Sequence, residues 1–302
     1  MKVHFYIERL DRLGNWLFRL AVAVSLSDEV AICAATAEDL ERMKRYALFS
    51  GLEGRVGLPP GVRVYQEPRF AYDPIPMPSE GSEFVLRGYF QSWRYFDERK
   101  VRRLIRIPDE DRTRLESEYA EALSQPDITA IGVRRGDYLK LPHRFPFVGK
   151  RYYRKALERL SDVRNFLVCS DDIAWCRRFF NERNFPGRRF HFSRVERDID
   201  DIWLQALCKN NILANSSFSW WGGYLNATPG KRTVAPSRWF GWDFKRKGYD
   251  WLDVYYPGTE IVDNDSSWLR SAGDALCALW IQGIRPKVIS PPYQWVRRRI
   301  CG

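Results

Sequence analysis

Residues Asn211–Ala235 read NILANSSFSWWGGYLNATPGKRTVA. Ile212-Leu213-Ala214 is a short apolar run suited to a buried strand, and Thr233-Val234-Ala235 is another. Between them Asn215-Ser216-Ser217-Phe218-Ser219 breaks the apolar pattern, which Trp220-Trp221-Gly222-Gly223-Tyr224-Leu225 resumes at helical spacing. The stretch predicts a strand–helix–strand unit with the polar pentad at the carboxyl end of its first strand. A helix start carries N–H groups without intrahelical partners and the positive end of the helix dipole, so it favours an anion. Three hydroxyls, one amide and those N–H groups suit phosphate oxygens. One serine suffices to cap a helix; three beside two tryptophans favour a binding loop.

The alternation extends outward on both sides. Strands are expected near 128–134, 165–169, 189–193, 211–214 and 232–235, with helices near 151–160, 172–180, 200–208 and 219–226. Each intervening segment is long enough for a parallel crossover, which makes the class α/β with a doubly wound sheet. The first half predicts strands at 2–8, 30–35, 62–67 and 83–89, with helices at 16–24, 38–49, 97–107 and 110–123. Alternate prolines over Tyr72–Pro78 mark an extended loop. Ser124-Gln125-Pro126-Asp127 is the expected boundary, dividing the chain into 1–125, 126–264 and a tail, 265–302. Gly14-Asn15 falls at an expected strand-to-helix turn, where a glycine admits a ligand or another backbone.

A chain of 302 residues with 45% apolar content can bury the cores of two domains. It contains no apolar run long enough to span a bilayer. Met1 leads into an alternating segment rather than a leader's apolar core, so a cytoplasmic location is expected. The six cysteines lack metal or CxxC spacing and read as buried free thiols. The three histidines add no metal site, so none is expected. Neither a Walker loop nor GxGxxG is present, which argues against ATP and NAD. The charge of +11 comes without a nucleic-acid motif; an anionic substrate or an anionic membrane surface accounts for it.

Two further groups fall at predicted strand ends, where ligands bind in open α/β sheets. Arg134-Arg135-Gly136-Asp137-Tyr138 offers guanidinium forks for phosphate, with Asp137 to orient an arginine or act as a base. A surface salt bridge is the plainer reading of the same residues. In Ser170-Asp171-Asp172 one aspartate is expected to cap a helix and the other to meet a ribose hydroxyl or a guanine N–H. Asp198-Ile199-Asp200-Asp201 has the look of a metal-binding acidic motif. It precedes Ile202-Trp203-Leu204, however, and acids in a first helical turn complement the dipole.

Taken together the motifs resemble those of the α-1,2-fucosyltransferases of glycosyltransferase family 11. The similar blocks are RLGNWLF at 12–18, LRGYFQSWRYF at 86–96, VRRGDY at 133–138, CSDDIAWC at 169–176, DIWLQALCKNNILANSSFSWWGGYLN at 201–226 and VAPSRWF at 234–240. The resemblance implies a GT-B fold of two Rossmann-like domains facing across a cleft, with GDP-fucose held mainly by the second. It also implies inverting, metal-independent transfer of fucose to the 2-hydroxyl of a terminal galactoside. Carried over by position, Arg134 would neutralise the diphosphate, Arg135 would support its loop, and Asn215, Ser216, Ser217, Phe218 and Ser219 would wrap the phosphates. Gly14 and Asn15 would approach the sugar, and Asp171 or Asp172 the nucleoside. The family usually has histidine where this chain has Gly132, and GNQMFQ where Trp16, Leu17 and Arg19 follow Asn15. Both departures are expected near the cleft.

The tail from Ser266 is outside the resemblance. Trp268, Leu269, Ala272, Leu276, Leu279 and Trp280 fit one helix face, and Gln294–Ile300 mixes aromatics with arginines. A terminal helix packed across the domains is the plainer reading. Peripheral docking on anionic lipid at the inner face of a membrane, near a lipid-linked acceptor, is the sharper one. Three functions stay open at this level: a GDP-fucose transferase, the same fold with another nucleotide sugar or acceptor, and a non-catalytic sugar- or polyanion-binding protein.

Overall fold

The computed structural model describes residues 1–264 except 10, 78–81, 142 and 147; the expected tail at 265–302 lies outside the described residues. The first unit contains β1 (Lys2–Ile7), α1 (Leu13–Leu26), β2 (Glu29–Ala34), α2 (Ala37–Lys44), α3 (Ala47–Ser50), β3 (Glu53–Val56), β4 (Arg63–Gln66), β5 (Glu83–Arg87) and α4 (Glu98–Leu104). Its strands form one parallel sheet in the order β3-β2-β1-β5-β4. Next come α5 (Asp109–Glu118), α6 (Ala120–Leu123), β6 (Thr129–Val133), α7 (Lys150–Arg159), β7 (Asn165–Ser170), α8 (Ile173–Phe179) and β8 (Arg189–Phe192). The chain continues through α9 (Asp198–Leu207), β9 (Asn210–Ile212), α10 (Ser217–Leu225), β10 (Thr233–Pro236), α11 (Trp242–Arg246) and β11 (Thr259–Val262). The second sheet is also parallel, in the order β11-β10-β9-β6-β7-β8. Two Rossmann-like α/β units thus face one another in the GT-B arrangement.

The differences from the sequence reading have local causes. The two strands it missed, β3 and β11, are sheet edges, largely exposed. An edge strand need not carry the apolar pattern that burial imposes. The helix expected over 38–49 breaks at Tyr46, whose backbone is extended and whose hydroxyl donates to Asp198 of the second unit at 2.9 Å. The helix expected over 110–123 breaks at Tyr119, whose hydroxyl accepts from the Arg194 N–H at 2.8 Å. Although they precede the expected boundary at 125, α5 packs on α9 and α6 on β7. Gly14-Asn15 belongs to the first turn of α1 rather than to a turn before it.

The units share one continuous apolar core. At its centre Phe18 of α1 lies 4.5 Å from Trp220 and 5.1 Å from Trp221, and Phe96 stacks on Trp221 at 5.7 Å, centroid to centroid. Trp221 Nε1 donates to the Gly14 carbonyl at 3.0 Å. Gly14 is required there by close approach, because a Cβ would lie 2.6 Å from Ser217 Oγ and 2.7 Å from Phe218 N. The two departures from the family pattern are both buried. Trp16 is 2% exposed, with its ring edge-on to Tyr46 and Phe49. Arg19 is 4% exposed, ion-paired with Asp11 and donating to the Gly88 carbonyl. At Gly132 a Cβ would fall 2.0 Å from Ser219 Oγ, so the α10 start leaves no space for a histidine unless Ser219 moves. The four described cysteines, Cys33, Cys169, Cys176 and Cys208, are buried free thiols.

Gly14→Ala is expected to destabilise the protein by about 1–3 kcal/mol, the usual range for an added methyl in a filled interior. Chemical denaturation measures it; an unchanged midpoint would mean that the α1–α10 contact is loose.

Candidate active site

The carboxyl ends of both sets of strands meet at the seam between the units. Gly14, after β1, and Ser217, after β9, are adjacent there, and Phe70, after β4, packs edge-on against Phe240, after β10, at 4.8 Å. In the second unit β6 lies between β9 and β7. That order puts the arginine loop after β6 between the serine pentad after β9 and the aspartates after β7.

The arginine loop is braced from both directions. Arg134 donates to Asp137 Oδ1 at 2.7 Å and pairs with Asp171 Oδ2 at 3.0 Å. Arg135 Nε donates to Asp172 at 2.9 Å, and its guanidinium lies 4.2 Å from the Trp175 ring centroid. The Arg135 N–H donates to Asp171 at 2.8 Å. Asp172 also caps α8, accepting from the Trp175 N–H at 3.0 Å. Asp172 is therefore the capping aspartate as well as the partner of the Arg135 side chain, while Asp171 engages Arg134 and the Arg135 backbone. Arg134 keeps 28% of its side chain exposed, whereas Arg135 is 8% exposed. Only the first guanidinium presents itself to a ligand.

Tyr138 joins this loop to the pentad, its hydroxyl donating to the Asn215 carbonyl at 3.1 Å while its ring stacks on Phe145 at 4.7 Å. Burial pushes its phenol above the ordinary range, so it stays a donor. Within the pentad the side chains divide by role. Asn215 turns inward and donates to the carbonyls of Pro146 and Trp239 at 2.9 and 3.0 Å. Ser219 Oγ accepts from the Ala214 N–H and donates to Gln205 Oε1 at 3.0 Å. Both are buried and shape the loop from within. Ser216 occupies the N-cap of α10 without capping it by its side chain, and no acid lies in the first turn. Ser216 is itself buried, with its hydroxyl hydrogen-bonded to that of Tyr138; Ser217 and Phe218, with the N–H groups at 217–219, remain for a ligand. At the far end of α10, Arg102 donates to the Tyr224 carbonyl at 2.9 Å and Lys231 to those of Gly223 and Asn226. Cations therefore occupy the negative end of this dipole.

From the first unit, Asn15 Oδ1 accepts from Gln91 Nε2 at 2.8 Å, which fixes the side chain next to Gly14. Sequence reasoning passed over Gln91 and Tyr138 as separate contributors, although both stand in the quoted blocks. It also passed over two carboxyls. Asp201, beside Cys169 and Ser193, is pushed up to about 6 by burial. Glu67, which follows β4, is pushed up to about 7, also by burial. Neither stands out in sequence, because burial is what distinguishes them. Among the described residues no group of three or more His, Cys, Asp or Glu is placed to hold a metal; Asp200 instead pairs with Arg114 and Arg197.

The Asp201 environment has a measurable consequence. A folded value above the unfolded one means stability present in acid and lost as pH rises past about 6. Asp201→Asn, neutral throughout, is expected to exceed the wild type in stability by roughly 2–3 kcal/mol at pH 8 and to lose that advantage by pH 4. Denaturation at the two pH values tests this; an equal difference at both would contradict it.

In sequence, 38% identity over 128 residues links the chain to "O-antigen biosynthesis glycosyltransferase WbnK" of Escherichia coli, covering 40% of the chain and 42% of the relative. "Alpha-1,2-colitosyltransferase" of Escherichia coli is 33% identical over 165 residues, 52% of the chain and 56% of that protein. "Galactoside 2-alpha-L-fucosyltransferase Sec1" of Mus musculus is 30% identical over 159 residues, 46% of the chain and 41% of that protein. The chain thus matches about half the length of these curated relatives. Among solved structures, fucosyltransferase NodZ from Bradyrhizobium superposes with a TM-score of 0.46 at 15% identity, over 74% of this chain and 92% of that one. The model of glycosyl transferase family 11 matches residues 76–254, which include the arginine loop, both aspartates, the pentad and Gln91. The match covers more than half of the chain, and the protein belongs to glycosyl transferase family 11.

Proposed function

We propose that this glycosyltransferase moves L-fucose from GDP-fucose to the 2-hydroxyl of a terminal galactoside, with inversion and without a metal. The observation that carries the reading is the junction of Arg134 with the uncapped start of α10 across the Tyr138–Asn215 hydrogen bond. In this reading Arg134 meets the β-phosphate, Ser217, Phe218 and the N–H groups at 217–219 surround the diphosphate, and Ser216 braces the loop through Tyr138. Arg135, Asp171 and Asp172 keep the arginine loop in place, with Asp171 or Asp172 the nearest to the nucleoside. Asn215 and Ser219 act by shaping the pentad. Asp137 orients Arg134, the role its 2.7 Å hydrogen bond favours over that of a base. Gly14 and Asn15 bring the first unit to the sugar.

The chemistry follows from where charge develops. As the bond from C1 to the diphosphate breaks, its electrons leave with GDP and the β-phosphate gains negative charge. Donors fixed beforehand stabilise that charge without reorganising, commonly a leading contribution to catalysis. A guanidinium and a helix start can fill the electrophilic role that a divalent ion fills elsewhere. No helix among the described residues is long and apolar enough to cross a membrane. The proposed contact of the tail with anionic lipid lies outside the described residues.

A second reading keeps the site and changes the sugar; the relative named as a colitosyltransferase favours it. GDP release from GDP-fucose and GDP-colitose, with a galactoside panel and EDTA present, separates the readings. The first expects GDP-fucose to be preferred with turnover insensitive to EDTA. Release from neither donor would overturn both readings. Arg134→Ala is expected to lower kcat by about 100-fold or more with the thermal midpoint nearly unchanged. Near-normal turnover would remove Arg134 from the diphosphate site.

A further inference from the structure

Glu67 stands at the carboxyl end of β4, three residues before Phe70, which packs on Phe240 and Tyr249 of the second unit. Its carboxylate accepts from the Tyr89 N–H at 2.6 Å through Oε2 and from the Phe90 N–H at 3.0 Å through Oε1. The backbone bends to make these bonds. Phe90 is the sole non-glycine residue with positive φ among the described residues, at 52°. A Cβ on neighbouring Gly88 would fall 2.4 Å from that of Glu67. Strain of this kind concentrates at functional sites. The strained turn leads directly into Gln91, which holds Asn15.

We propose that Glu67 is the general base of the transfer, taking the proton of the acceptor hydroxyl as its oxygen attacks the sugar. The assignment rests on the transferase reading given above. In the balanced step the acceptor O–H proton passes to a Glu67 oxygen and the acceptor oxygen bonds to C1. The bond from C1 to the diphosphate breaks, and its electron pair leaves with GDP. Each Glu67 oxygen accepts one N–H and keeps a lone pair for this proton. Asp137 has its Oδ1 taken by Arg134, whereas no ion pair engages Glu67 among the described residues. The cation nearest in influence, Arg19, is committed to Asp11 and the Gly88 carbonyl.

The groups facing the carboxyl are Arg19 from α1, Tyr65 from β4, Tyr95 from the turn at 93–95, and Tyr249 from the segment after α11. The three tyrosines are held above their ordinary range by burial and do not titrate near neutrality. Glu67, at about 7, is poised to change state there. Below that pH it carries a proton and cannot accept another, so kcat/KM should fall on the acid side.

The test measures kcat, its pH profile and GDP affinity in Glu67→Gln and Glu67→Asp, using the nucleotide sugar that the wild type turns over. Glu67→Gln is expected to lose about 100-fold or more in kcat. It should also lose the acid limb near pH 7 while binding GDP within about twofold of wild type. Glu67→Asp, which withdraws the carboxylate but keeps it, should lose roughly tenfold and retain the limb. A Glu67→Gln rate within threefold of wild type, a surviving acid limb, or GDP affinity falling in step with kcat would overturn the proposal. A wild type that turns over no nucleotide sugar would instead refute the transferase reading, and the base with it.

Discussion

The contact between the first turn of α1 and the first turn of α10 is the constraint on which the rest of this structure depends. Gly14 lets the two helices meet backbone to backbone, and Trp221 locks the approach with a hydrogen bond to the Gly14 carbonyl. Behind that point Phe18, Phe96, Trp220 and Trp221 make the interior of one unit continuous with that of the other. Interiors packed in this way resist small displacements. The seam therefore acts as a fixed edge of the site, and the start of α10 is presented at one position relative to the first unit.

Electrostatics complete what packing begins. The start of α10 is left without an acidic residue or a side-chain cap, while Arg102 and Lys231 satisfy carbonyls at its other end. The dipole is thus stabilised at its C-terminus and left open at its N-terminus. Beside it two arginines are set among three aspartates, and these do not simply cancel. The carboxylates fix the directions of the guanidinium groups and of the loop backbone. Arg134 retains exposed surface in that frame, whereas Arg135 serves the frame itself. A charge held in place before a ligand arrives needs little reorganisation as negative charge grows on a leaving group.

Much of this could be read from the chain because burial leaves periodic marks. The central strands announce themselves as apolar runs, and the pentad stands out because it interrupts one. The edge strands β3 and β11 leave no such mark. The site was legible as three strand-end motifs, and the order β9-β6-β7 explains why they converge. What residue types could not reveal is which polar atoms are already engaged. Asn215 and Ser219 look like phosphate ligands in sequence, yet their side chains are occupied inside the fold. Trp16 and Arg19 stand out in sequence only as departures from a family pattern, and the sequence does not reveal that both are buried. Conversely, Glu67 looks ordinary between Gln66 and Pro68, and only the folded loop over it sets it apart.

The central claim is that one exposed guanidinium and one open helix start together hold the diphosphate of a departing nucleotide. A crystal structure of the protein with GDP bound tests it most directly. Phosphate oxygens are expected within hydrogen-bond distance of both Arg134 and the N–H groups at 217–219, with the Trp221–Gly14 hydrogen bond intact. GDP bound away from that junction, or reaching the phosphate site only after α1 and α10 separate, would contradict it.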